Sequence, residues 1–159
     1  MAAAVPPPLL LLGDLGGTNC RLELVPMPPA AAGAGRPATV HKDRYRTADF
    51  ASLAEMLAKF VAELPPGTAA PSLCCLSVCG PVTAGGGGRL TSVLLAPVFG
   101  PGGWTLDSHA LRAALGGGCE VLMLNDFHSV GLALPLIPPE DIHTVYAGKP
   151  AEHGPQVRA

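Results

Sequence analysis

The stretch "LLLLGDLGGTNCRLEL", Leu9–Leu24, decides the fold. Leu9–Leu12 is a continuous apolar run, short enough for a buried strand. After the glycines, Cys20, Leu22 and Leu24 alternate with Arg21 and Glu23, the period-two pattern of a half-buried strand. Only a glycine-rich turn separates the two runs, so together they predict a β-hairpin. The turn itself, "GDLGGTN", holds more glycine than a hairpin needs. It lacks the lysine of a Walker loop and the spacing of GxGxxG, and it leads into a strand rather than a helix. Successive backbone N–H groups at Gly16, Gly17, Thr18 and Asn19 can instead line one concavity, a nest suited to phosphate oxygens. Glycine there is expected to keep Cβ atoms out of the way and to supply positive φ. Asp14, at the end of the first strand, suits a hydrated Mg²⁺ better than a phosphate. On spacing alone, an ordinary glycine turn with a solvated aspartate explains the stretch equally well.

Outward from the hairpin, "TVHKDRYRT" (Thr39–Thr47) predicts a third, more exposed strand. In the helix that follows, Leu53, Met56, Leu57, Phe60, Val61 and Leu64 form one apolar stripe. Ser52 and Glu55 have capping-box spacing, with Thr47 or Asp49 as an alternative start, and Pro65-Pro66 ends the helix. "SLCCLSVCG" (Ser72–Gly80) predicts a buried strand closed by a Gly-Pro turn. "LDSHALRAALGGG" predicts a helix capped by Asp107 or Ser108. "CEVLML" (Cys119–Leu124) predicts another buried strand, and Phe127–Leu136 a helix. The order β-β-β-α-β-α-β-α predicts an α/β fold, a mixed sheet with helices on its faces. Gly and Pro clusters at Pro26–Pro37, Leu64–Pro71, Gly85–Gly88 and Val98–Gly103 read as connections, the tetraglycine as a hairpin tip.

The chain has 159 residues, 48% hydrophobic and 14% charged, with a formal net charge of −2. A chain of this length suits one domain, able to bury roughly 70% of its unfolded surface. The charge balance offers nothing to nucleic acid or to an acidic membrane surface. No apolar run approaches a membrane span, and the first residues lack the basic segment of a signal peptide. A cytoplasmic protein is expected. The five cysteines lack CxxC spacing and read as small buried hydrophobes in a reducing compartment. The five histidines show no metal spacing and read as surface residues, while Trp104 is expected to pack.

A second chemical candidate is Asn125-Asp126, between an apolar strand and a helix. Ligands of open α/β sheets sit beyond the carboxyl ends of strands, where this pair falls. Asp126 there suits proton abstraction from a hydroxyl, and Asn125 hydrogen bonding to neighbouring hydroxyls. Taken alone, the pair reads more readily as a helix N-cap. Gly80-Pro81 closes another strand at the same sheet edge.

In sequence order, "GDLGGTNCRLEL", "YRTADFASL", "VCGPV", "WTLD" and "LNDFHSVGLALP" resemble the bacterial-type glucokinase family of the actin/hexokinase/Hsp70-like ATPase superfamily. The resemblance runs from Gly13 to about Gln156. It implies an RNase H-like, actin-like ATPase domain and ATP-dependent phosphorylation of glucose to glucose 6-phosphate. Asp126 matches the family's catalytic base and Asn125 its sugar-binding neighbour. Asp14, Gly16, Gly17, Thr18 and Asn19 match the hairpin at the ATP phosphates and Mg²⁺. The implied partners are glucose or a closely related hexose, with a homo-oligomer allowed and no nucleic acid or membrane.

Two departures stand out. The family places a short Thr-Asn-x-x-Trp segment where this chain has Thr91-Ser92 and then "VLLAPVFGPGG" (Val93–Gly103) before Trp104; the insertion is expected beside the sugar pocket. Family members also run to roughly twice this length. Their larger domain supplies a second phosphate loop, the adenosine pocket and further sugar ligands. The expected organisation is a disordered segment 1–8, an N-terminal ATPase domain 9–146, and a tail 147–159 leading to an absent C-terminal domain. Little or no kinase activity is then expected of the chain alone, and a non-catalytic sugar- or partner-binding remnant is the alternative.

Overall fold

The structure is a computed structural model and describes residues 7–28 and 37–146. Most of the Pro26–Pro37 connection, the tail 147–159 with His153, and residues 1–6 lie outside the described residues.

Strands β1 (Leu9–Leu15) and β2 (Asn19–Pro26) form the expected antiparallel hairpin, with Leu15 opposite Cys20. Strand β3 (His41–Arg46) pairs antiparallel with β2 and forms the sheet edge, which explains its polar sequence. Helix α1 (Leu53–Ala62) follows. Ser52 accepts from the Glu55 N–H at 3.2 Å, and the Glu55 carboxylate reaches back to the Ala51 N–H at 2.8 Å. Two N-terminal donors are thereby satisfied, as the Ser52/Glu55 spacing predicts. Thr47–Asp49 is a separate 3-10 turn, not the start of the helix. Leu53, Met56, Leu57 and Phe60 of the stripe are fully buried, with Val61 and Leu64 partly so, each fully buried apolar side chain contributing about 1.5–3 kcal/mol.

After α1 the chain enters β4 (Leu73–Val78), parallel to β1. Then comes an element the residue pattern does not announce. Strands β5 (Val82–Ala84), β6 (Leu90–Leu94) and β7 (Trp104–Asp107) make a separate three-stranded antiparallel sheet. Its first strand is too short to show alternation, and "WTLD" is the last strand of this sheet, leading directly into α2 (Ser108–Ala114). The tetraglycine is the β5–β6 hairpin tip, as expected. Trp104 packs against Phe99, with ring centroids 5.1 Å apart.

Strand β8 (Glu120–Asn125) pairs parallel with β4, and α3 (Asp126–Ala133) leaves its carboxyl end. The main sheet has the order β3-β2-β1-β4-β8, mixed as expected. Leu11, Leu15, Cys20, Leu22, Leu24, Cys74, Leu76 and Val78 face α1 and α2 and are fully buried. The opposite face is largely open, so Leu12 remains 39% exposed. The leucine run of β1 is therefore buried on one side only, a correction to its reading as a fully buried strand.

Cys20, Cys74 and Cys119 are buried, Cys75 and Cys79 half-buried, and all five are free thiols. His41 departs from its surface reading: its ring lies 5.0 Å from that of Phe60, and its Nε2 is buried without a partner among the described residues. Among the described residues no helix is long and apolar enough to cross a membrane.

Candidate active site

Parallel pairing brings three loops to one edge. Leu15 of β1 lies opposite Val78 of β4, and Val78 opposite Asn125 of β8. The hairpin turn, Gly80-Pro81 and Asn125-Asp126 thus leave the sheet side by side, at the carboxyl ends of the central strands. Two bonds tie them together: the Cys79 N–H donates to the Leu15 carbonyl at 3.2 Å, and Asn125 Nδ2 donates to the Gly80 carbonyl at 3.1 Å. Gly80 is required sterically, since a Cβ there would stand 2.5 Å from Leu94 Cδ2.

In the hairpin turn, the Gly16 N–H donates to the Asn19 carbonyl at 3.0 Å and closes the loop. That amide is already engaged, whereas the Gly17 and Thr18 N–H groups have no partner among the described residues. Neither Gly16 nor Gly17 has positive φ, contrary to expectation. Their backbone is one other residues adopt, so what distinguishes them is the missing Cβ. At Gly17 a Cβ would meet only Val98 Cγ1, at 3.7 Å. Thr18 is exposed, and Asn19 accepts from Arg44 Nε at 3.1 Å.

Asn125 is the N-cap of α3, as its position before a helix suggests. Its Oδ1 accepts from the N–H groups of Phe127 at 3.1 Å and His128 at 3.4 Å. Its Nδ2 donates to Gly80 and also to Asp126 Oδ1, at 2.9 Å. An amide side chain has two donor protons and two strong acceptor sites, and Asn125 uses all of them within the protein. Asp126 is half-buried. Its Oδ1 also accepts from the Phe127 N–H at 2.9 Å, while Oδ2 has no partner among the described residues. The carboxylate is anchored through one oxygen and presents the other.

Asp14 projects from the open face of β1 and pairs with Arg21 across the hairpin at 2.8 Å, both side chains more than half exposed. Burial pushes the Cys79 thiol up, and the charges of Asp126 and Asp14 push the same way, so both carboxylates act on the ground between the loops. Burial and then Asp14 likewise raise the Cys20 thiol to about 12. No group of three or more His, Cys, Asp or Glu able to hold a metal occurs among the described residues. A lone carboxylate still fits Mg²⁺, which commonly takes one or two protein carboxylates and fills its shell with water and phosphate oxygens. A cavity of about 810 Å³ extends from Asp14 and Arg21 over the apolar sheet face to Leu132 and Leu136.

Residue patterns offered Thr47 only as a possible helix start; it is fully buried and donates its hydroxyl to the Gly16 carbonyl and its N–H to the Thr18 carbonyl, each at 3.0 Å. Nor did they point to Arg44 or to the Arg21–Asp14 pair. The Val93–Gly103 insertion sends its 3-10 turn Pro97–Phe99 against the hairpin and the Thr47–Asp49 turn. Ser92 is buried, and its hydroxyl has no partner among the described residues.

Residues 11–157 match the protein-family model for Glucokinase. Among curated proteins, the chain is 29% identical over 147 residues to a glucokinase of Nostoc punctiforme, covering 92% of this chain and 38% of that protein. It is 28% identical over 149 residues to a glucokinase of Trichormus variabilis, with the same coverages of 92% and 38%. Among solved structures, a glucokinase from an Antarctic psychrotroph superposes with a TM-score of 0.62 at 24% identity, over 91% of this chain and 40% of that one. That likeness shows the fold, an actin-like ATPase domain. The chain spans about two-fifths of the length of these relatives.

Proposed function

The chain belongs to the glucokinase family, and from that premise we propose that it carries the N-terminal half of a site phosphorylating glucose, or a closely related hexose, at the expense of ATP. The observation that carries this reading is the register of Leu15, Val78 and Asn125, which sets a phosphate-suited turn beside an anchored carboxylate. Residues 9–146 form the ATPase domain in this scheme, and a second wall of the cleft belongs to a further domain like that of the longer relatives.

Asp126 Oδ2 takes the proton from the sugar's 6-hydroxyl as that oxygen attacks the γ-phosphorus, the bond from the γ-phosphorus to the β,γ-bridging oxygen breaks, and ADP leaves. General bases of this kind contribute about 10²–10⁴-fold. Asn125 acts first on Asp126, holding Oδ1 so that Oδ2 faces the hydroxyl. Its bonds are all committed within the protein, so contact with the sugar requires exchanging one of them. Gly17 and Thr18 offer their free N–H groups to phosphate oxygens, with Gly16 and Asn19 framing the turn. Asp14, paired with Arg21 at its exposed carboxylate, would hold a hydrated Mg²⁺ through water. When bound, Mg²⁺ neutralises charge on the phosphates. In phosphoryl transfer most of the protein's task is positioning and charge stabilisation.

The test is amide NMR on the 159-residue chain, titrated separately with glucose and with Mg²⁺ and a non-hydrolysable ATP analogue at millimolar levels. The expected result is glucose shifts around Asn125–Phe127 and nucleotide shifts around Gly16–Asn19. Shifts at neither place, or both ligands perturbing only the far end of the sheet, would overturn the reading.

A further inference from the structure

We infer that Thr47 is a positioning residue for the hairpin, an inference that rests on the phosphate reading given above. It aims the Gly17 amide by fixing the carbonyl on the other side of the same peptide unit.

A trans peptide is planar, and its C=O and N–H point in opposite directions. The Gly16 carbonyl and the Gly17 N–H belong to one such unit. With the Thr47 hydroxyl holding the Gly16 carbonyl, the Gly17 N–H is turned away from Thr47. The Thr47 N–H holds the Thr18 carbonyl and orients the Asn19 N–H in the same manner. Neither glycine has a side chain to restrict rotation of the 16–17 unit, so the hydrogen bond from Thr47 matters more there. Thr47 itself is rigidly placed: it is fully buried and opens the 3-10 turn that follows β3. Val98, on the Pro97–Phe99 turn, backs the loop near Gly17. An amide oriented before the ligand arrives costs nothing to reorganise when charge is bound.

The test compares the chain with Thr47→Val, which keeps the shape and the backbone donor but loses the hydroxyl, and with Thr47→Ser, which restores it. Three quantities are read: backbone order at Gly17 and Thr18 by ¹⁵N relaxation, affinity for the Mg²⁺–ATP analogue, and affinity for glucose. The Val variant should lose order at these two amides and bind nucleotide about fivefold more weakly, the scale of one neutral hydrogen bond. Glucose affinity should stay as in the parent, and Ser should recover the nucleotide affinity. Nucleotide affinity unchanged in the Val variant, or lost equally for both ligands, would overturn the inference while leaving the phosphate reading intact. A parent chain with no nucleotide shift at the hairpin would remove the phosphate reading and this inference with it. Should the Val variant not fold, the parent decides: a Thr47 hydroxyl proton in slow exchange supports the inference, and one in fast exchange overturns it.

Discussion

The hairpin turn and the Asn125-Asp126 loop leave the same sheet edge but are held in opposite ways. Asn125-Asp126 is fixed mainly from within, by bonds to Phe127 and His128 and between its own two side chains, with a single tie to Gly80. The hairpin closes on itself through one bond, from Gly16 to Asn19, and owes the rest of its shape to Thr47 and Val98, far away in sequence. A self-capped loop can present a carboxylate oxygen with little help from the fold. A glycine turn offering backbone donors needs an outside clamp, because the feature that opens it to a ligand also leaves it soft. Each substitution below asks whether that division holds.

The largest effect is expected at Asp126. In the natural protein, Asp126→Asn should lower kcat for hexose phosphorylation by about 10²–10⁴-fold, since the amide keeps the bonds at Oδ1 but supplies no base. Sugar affinity should change little, and steady-state kinetics with a separate binding measurement check both. Lost binding with unchanged turnover would mean that Asp126 holds the sugar and does not abstract its proton.

Next comes the joint between the loops. Gly80→Ala puts a Cβ 2.5 Å from Leu94 Cδ2 and 3.2 Å from the Ser92 hydroxyl. Overpacking of this kind costs about 1–3 kcal/mol, read as a lower midpoint in urea unfolding. Asn125→Ala should cost somewhat less, about 0.5–2 kcal/mol for a lost N-cap, and it also cuts the tie to Gly80. Hydrogen exchange at Phe127 and His128 should rise while that at Gly17 stays unchanged. Coupled loosening of the hairpin would show that the two loops are one unit, against the comparison drawn here.

The same division explains what could be read from the residues alone. Local signals were legible: the alternation of Cys20, Leu22 and Leu24, the stripe from Leu53 to Phe60, the Ser52/Glu55 cap and the Asn125-Asp126 pair at the start of α3. The β5–β7 sheet was not, because a three-residue strand beside a glycine tip carries no usable period. The role of Thr47 at the hairpin was invisible for a different reason. Its hydroxyl reaches a carbonyl 31 residues away, and long-range bonds to backbone leave no pattern in the sequence. The leucine run of β1 misled by appearing to call for burial on both faces, whereas Leu9 and Leu11 pack against the core and Leu12 stays 39% exposed.

The smallest effect on stability, and the sharpest test of why the turn is glycine-rich, is expected from Gly17→Ala. Gly17 has no positive φ, and the new methyl would find only Val98, at an ordinary contact distance of 3.7 Å. Folding stability should therefore stay within about 0.5 kcal/mol of the parent, with a slight gain from a stiffer unfolded chain. If close approach of a phosphate is the reason for glycine here, affinity for the Mg²⁺–ATP analogue should fall even so, with glucose affinity unchanged. A stable variant with undiminished nucleotide affinity would show that the free amides, not the missing side chain, are what the turn provides, and Thr47 would then govern the hairpin more than its glycines do.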